Sequence, residues 1–157
     1  MKLIDILPPE RIVHRLQASS KPELLVELVQ HGFLDGGCGL SGDDADRVLQ
    51  VIDERERLGS TGIGDGVAIP HGKLAGLAGL LAAFGIQEQG VDFGAADGKP
   101  SRFFVLLLAP ENSANAHLKA LARISRLFRD GGFRRRLLGA PDRQTLYDTL
   151  AREDARQ

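Results

Sequence analysis

Six consecutive apolar side chains, Phe103-Phe104-Val105-Leu106-Leu107-Leu108, lie between the turn-forming Asp97-Gly98-Lys99-Pro100 and Pro110. A run of this length suits a strand and is short for a helix. Strand side chains alternate between two faces, so an uninterrupted apolar strand must be covered on both. The rest of the chain therefore has to supply helices for two sides of a sheet.

Its patterning does so. Ile12 to Leu16 reads as a strand. Ser20-Lys21-Pro22-Glu23 then reads as a capping box with proline in the first turn, opening a helix whose apolar face is Leu24, Leu25, Leu28 and Val29. Asp35 to Gly39 reads as a loop. Ser41 and Asp44 begin a second helix with a stripe of Ala45, Val48, Leu49 and Ile52. Val67–Ile69 and Leu80–Ile86 are further strands. A third helix begins near Asn115 with His117, Leu121, Ile124 and Phe128 on its inward face, and two more cover Gly132–Leu138 and Asp142–Leu150. The expected fold is α/β, a mixed β-sheet sandwiched between helices in a single domain over residues 1–157.

Gly59 to Lys73 stands apart, with five of the chain's nineteen glycines in fifteen residues. Glycine permits positive φ and close approach of the backbone to another group. Successive N–H groups in such turns can form an anion-binding concavity, and His71 follows Pro70. An anion cradle beside an imidazole points to phosphate chemistry. Gly62-Ile63-Gly64-Asp65-Gly66 is no dinucleotide fingerprint, because a helix pattern precedes it and a strand follows. Gly72-Lys73-Leu74 lacks the hydroxyl residue of a P-loop.

Arg55 and Arg57 both fall in the last turn of the second helix, where a cation suits the helix dipole. Two residues apart, they project about 200° from one another. Arg55 follows Ile52 by three positions and stays near the inward side; Arg57 points to solvent, with Asp53 at i−4 as a surface partner.

Arg55-Glu56-Arg57-Leu58 and the whole of Gly59 to Lys73 resemble the phosphorylation-site signature of the fructose/mannitol-type EIIA proteins of the bacterial phosphotransferase system, and most of all its nitrogen-regulatory branch. The resemblance spans about Leu3 to Leu150. It implies the sandwich fold of phosphotransferase and anion-transport proteins. It also implies His71 as phosphoacceptor, His117 as a second active-site histidine, Arg55 as the arginine serving the site, and Gly59, Ser60, Thr61, Gly62 and Gly64 as phosphate-binding, with N–H and O–H donors from Ser60 and Thr61. The implied donor is a histidine phosphocarrier protein. The implied recipients are regulated proteins such as potassium-transport or sensor-kinase components, or else a separate EIIB in a sugar-uptake system. That no EIIB or EIIC segment follows favours the regulatory branch. No cofactor is implied.

Two rival classes are a binding module that no longer transfers phosphate and a metal-dependent hydrolase using His71, His117 and Asp65. The first would be favoured by a lost histidine, and both are present. The second lacks any metal-binding spacing, the two histidines being 46 residues apart. His14 and His31 read as surface or structural, with no acid or companion ligand near them in sequence.

Charge is unevenly placed. Residues 1–100 carry 9 basic and 15 acidic side chains, and residues 101–157 carry 11 and 6, for a net −1. The arginines at 123, 126, 129 and 134–136 read as solvated helix faces, or next as a docking surface for an acidic protein. No aromatic residues interleave with them, so nucleic acid is not expected. A single cysteine, Cys38, and the absence of a signal-like or membrane-spanning run lead to the expectation of a cytoplasmic protein that does not insert into a membrane.

Overall fold

The computed structural model describes residues 1–157. Six strands form one mixed sheet: β1 (Ile12–Val13), β2 (Gly62–Gly64), β3 (Val67–Ala68), β4 (His71–Lys73), β5 (Leu81–Val91) and β6 (Ser101–Ala109). The sheet runs β1-β5-β6-β3-β2, and β4 also pairs with β6. The apolar run is thus the middle of the sheet. β5 lies antiparallel on one edge of β6, and β3 and β4 lie parallel on the other, end to end.

Alternation along β6 divides the core in two. Phe103, Val105 and Leu107 enter one cluster with α3 (Ala114–Leu127), α4 (Gly131–Leu138) and α5 (Arg143–Arg156). Phe104, Leu106 and Leu108 enter the other, with α1 (Lys21–Leu28) and α2 (Ala45–Arg57). All six are at most 2% exposed. The expected helix/sheet/helix sandwich is what forms. Its helix starts follow the sequence signals: the Ser20 side chain accepts the Glu23 N–H, and Ser41 and Asp44 cap a 3₁₀ turn leading into α2.

Several elements differ from their sequence reading. The strand expected over Ile12–Leu16 pairs only at Ile12 and Val13. Beyond it, His14 Nε2 lies 2.8 Å from the Ala140 carbonyl oxygen and Arg15 donates to Leu138, so these side chains tie the chain to the α4–α5 connection. α1 continues through a π-helical segment, Val29–Leu34. There His31 Nδ1 meets Asp35 at 2.9 Å, an acid one turn away that the sequence reading passed over. β5 runs on to Val91 through the polar Gln87-Glu88-Gln89.

Gly62–Gly64, read as open loop, is instead strand β2, paired with β3 across the Asp65-Gly66 turn. Asp65 and Gly66 both have positive φ (57° and 77°), the geometry that makes Asp-Gly a tight hairpin turn.

α5 extends to Arg156, six residues past the expected end, because its last turns carry buried acids. Asp154 is fully buried. It pairs with Arg123 at 2.7 Å and accepts the Ile4 N–H at 3.0 Å, locking the N-terminus to α3 and α5. Glu153 pairs with Arg136 and Arg156. Arg134 donates to the Phe128 and Arg129 carbonyls at the end of α3. The basic C-terminal part is therefore partly structural and not simply a solvated face. Removing one member of a buried pair leaves the other uncompensated. Asp154→Ala is expected to cost about 3–5 kcal/mol of unfolding free energy, measured by urea denaturation, whereas Asp53→Ala at the exposed Arg57 pair should cost less than about 1 kcal/mol.

Candidate phosphotransfer site

Pro70 has no N–H to give, and the ladder beside β6 breaks there, separating β3 from β4. Pairing resumes at His71 opposite Leu107, near the C-terminal end of β6. One residue beyond β4's start, α2 passes close by. A Cβ on Gly72 would sit 3.0 Å from Val51 Cγ2 and 3.3 Å from the Val51 backbone, so glycine is what lets helix and strand approach. This contact sets the end of α2, with Arg55, beside His71.

After Ala109 the chain turns through Pro110–Ser113 into α3 and carries His117 back over the same strand ends. The two imidazoles meet edge to face, ring centroids 5.3 Å apart and planes at 81°.

The His71 ring is fixed by its Nδ1, 2.7 Å from the carbonyl oxygen of Ile69. A carbonyl only accepts, so Nδ1 carries the proton and the lone pair of the neutral ring is on Nε2. His117 is 8% exposed, and its Nε2 is buried without any hydrogen-bond partner. Such an atom is costly to leave unmatched. Both rings titrate below the ordinary 6.5. Burial is the main cause for each. Arg55 reinforces it at His71, against the Ile69 bond and Glu56; His71 and Lys73 reinforce it at His117. Near pH 7 the site holds two neutral imidazoles.

Arg55 directs Nη1 to the Gly59 carbonyl at 2.8 Å, whereas Arg57 turns away to Asp53 at 2.9 Å, as their helical separation requires. The glycine segment departs from its sequence reading. The Ser60 hydroxyl donates to Phe93 O at 2.6 Å. Thr61 is 3% exposed and gives both its N–H and its O–H to Glu56. Gly62 N–H goes to Ser60 Oγ at 3.0 Å. These donors are engaged inside the protein rather than presented to an anion. Gly64 sits opposite Val67, whose partner Phe103 is four strand positions from Leu107, the partner of His71. At 3.3 Å per residue that is about 13 Å. The structure thus brings His71, His117, Arg55 and Gly59 together and leaves Gly64 at the hairpin end. Asp65 lies in the hairpin turn beyond it, apart from the two histidines, so the trio of a metal hydrolase is not assembled.

Glu56 was given no role from sequence. Its side chain is 5% exposed and also accepts from Lys21 Nζ at 2.7 Å. An acid immediately after Arg55 in the matched motif was the available signal.

The chain belongs to the phosphoenolpyruvate-dependent sugar phosphotransferase system EIIA 2 family, whose family model matches residues 5–153. It is similar to the nitrogen regulatory protein of Bradyrhizobium diazoefficiens, 40% identical over 151 residues that cover 96% of this chain and 95% of that one. It is 33% identical over 154 residues to the fructose-specific EIIABC component of Bacillus subtilis, spanning 98% of this chain and 24% of that protein. Among solved structures it resembles the nitrogen regulatory protein IIA-Ntr of Neisseria meningitidis, with TM-score 0.81, 35% identity, and coverage of 93% and 97% of the two chains. No helix is long and apolar enough to cross a membrane.

Unfolded histidines take up protons near 6.5, while the folded rings do so only at lower pH. The stability they contribute is therefore complete above 6.5 and is lost as pH falls below it. In an NMR titration the His71 and His117 resonances should show midpoints below 6.5, and the protein should be easier to denature at pH 5.5 than at 7.5. Midpoints at or above 6.5 would contradict the electrostatic description.

Proposed function

We propose that the protein is a phosphoryl carrier of the nitrogen-regulatory branch, accepting phosphate on His71 from a histidine phosphocarrier protein. The observation that carries this reading is the pair of rings. One is locked with Nε2 as its nucleophile; the other presents a buried, unpartnered nitrogen beside it.

In the transfer, the Nε2 lone pair attacks the phosphorus of the donor's phosphohistidine. The new N–P bond forms as the donor's N–P bond breaks in line, and the donor imidazole leaves. His71 needs no base, because its attacking nitrogen is already unprotonated. Its Nδ1–H bond to Ile69 supports the positive charge that develops on the ring. Catalysis in such a step is positioning and charge stabilisation. His117 in its Nε2–H tautomer donates to a phosphoryl oxygen, and Arg55 has N–H groups beyond the one held by Gly59 to turn toward the same oxygens. Leu58 and Leu118 are 85% and 66% exposed, next in the chain to the arginine-bearing helix end and to His117. Apolar side chains bared around a reactive group suit contact with another protein.

The phosphorylated form then controls binding to regulated proteins, such as potassium-transport or sensor-kinase components, because a charge of about −2 at this surface reverses its electrostatics. Similarity to nitrogen regulatory proteins along nearly the whole chain supports this branch. The identity with a fructose EIIABC component favours a second reading, an EIIA of a sugar-uptake system that passes phosphate to a separate EIIB.

Incubation with phosphoenolpyruvate, Enzyme I and a phosphocarrier protein should give acid-labile phosphate on the wild type and none on His71→Ala. His14→Ala and His31→Ala should label normally. Labelling that survives His71→Ala would sink the assignment, and chase of the label onto an EIIB would favour the second reading. In the same assay Arg55→Ala should be slowed about 10–100-fold, the worth of a charge-assisted hydrogen bond, and Arg57→Ala should stay near wild type. Equal losses would remove Arg55 from its special role.

A further inference from the structure

We propose that Glu56, held by Lys21, is a positioning residue that sets the tautomer and aim of the His71 ring through Thr61 and Ile69. This extends the reading of His71 as phosphoacceptor and rests on it for its kinetic consequence.

Every link is a hydrogen bond in the structure. Lys21 Nζ donates to Glu56 Oε2 at 2.7 Å and lies 4.3 Å from the centre of the Phe93 ring, which fixes the lysine from the α1 side. Glu56 accepts the Thr61 N–H at 3.2 Å through Oε2 and the Thr61 O–H through Oε1. One carboxylate thus clamps backbone and side chain of the same residue. Thr61 O then accepts the Ile69 N–H at 3.0 Å, and Ile69 O accepts from His71 Nδ1 at 2.7 Å. Ile69 precedes Pro70, which has no N–H to donate and bonds to β6 only through its carbonyl, accepting the Leu107 N–H at 2.9 Å, so the Thr61 bond is what ties the Ile69 N–H to the neighbouring chain. The carbonyl that chooses which nitrogen of His71 bears the proton is therefore aimed by a carboxylate two residue contacts away.

A buried acid with three donors converging on it would be an ordinary structural pair if it ended on an inert loop. Here it ends on the only hydrogen bond the His71 ring makes. Ser60 Oγ and Lys21 Nζ both donate to Phe93 O, at 2.6 and 3.3 Å, so the clamp joins α1, α2 and the chain after β5 at one point. The charged groups bearing on His71 are Arg55 and Glu56 from the end of α2; the neutral His117 ring faces it from α3, and Lys73, on the strand of His71, acts on His117. Of these, Glu56 is the one acid, so its neutralisation also leaves the ring more reluctant to take up a proton.

The test uses Glu56→Gln and, because loss of a buried charge can unfold the protein, Thr61→Val, which keeps the shape and the Thr61 N–H bond while deleting the hydroxyl. The first readout is ¹⁵N NMR of the imidazoles in the unphosphorylated full chain. Wild type should show His71 protonated on Nδ1. Both variants, if folded, should show a growing Nε2–H population, and Glu56→Gln should also lower the His71 titration midpoint, which Thr61→Val should not. The second readout is the rate of phosphate acceptance, expected to fall about 10–100-fold in Glu56→Gln, with partial recovery in Glu56→Asp. A folded Thr61→Val or Glu56→Gln protein with an unchanged His71 tautomer overturns the proposal. So does a rate loss that Glu56→Asp does not ease at all. The tautomer readout needs no phosphate. If wild-type His71 shows the Nδ1–H form yet never labels, the phosphoacceptor reading fails while the positioning link stands.

Discussion

Two-faced burial of β6 is the constraint on which the molecule hangs. Phe103, Val105 and Leu107 need cover on one side and Phe104, Leu106 and Leu108 on the other, so helices pack against both. The same strand then places the chemistry. Its free edge takes β3 and β4 end to end, which puts His71 opposite Leu107. Its C-terminus runs on through Pro110 into α3, which returns His117 to the same edge. Reactive groups gather at the carboxyl ends of strands for this topological reason.

Electrostatics at the site run against the usual behaviour of a surface histidine. Two imidazoles in contact would repel if both were charged, and burial discourages charge on either. The Ile69 carbonyl works in the opposite direction, since it binds the proton on Nδ1 whichever charge the ring bears. A neutral ring with its proton on the far side is a nucleophile at rest, and the charge that appears on attack finds its hydrogen bond already formed. In the proposed transfer, Arg55 acts on the incoming side, where negative charge arrives.

Local signals were legible in the sequence because their causes are local. Ser20 and Ser41 open helices since a hydroxyl or carboxylate three residues away satisfies an N–H. Arg55 and Arg57 divide because helical geometry separates them. The apolar run at 103–108 could only be a covered strand. What the sequence hid depends on partners far along the chain. β5 reaches Val91 because Ser101 pairs with it, not because Gln87–Gly90 look like a strand. α5 reaches Arg156 because Arg123 and Arg136, 31 and 17 residues away, receive Asp154 and Glu153. The glycine segment reads as exposed backbone, yet Thr61 is buried by a glutamate five residues before it, and Gly64 belongs to a hairpin end rather than to the histidine. His117 shows the same limit. Its helical face was readable, but its approach to His71 came from family resemblance and not from spacing.

The central claim is that the Ile69 carbonyl, by holding Nδ1–H, commits Nε2 of His71 to the phosphoryl group. It is tested most directly by locating the phosphate on the ring. Phosphorylated protein labelled with ¹⁵N at histidine should show phosphorus coupling at Nε2 of His71, with Nδ1 still protonated. Coupling at Nδ1 would mean that the ring turns over and breaks the Ile69 bond before it reacts, and the account of the site would fail.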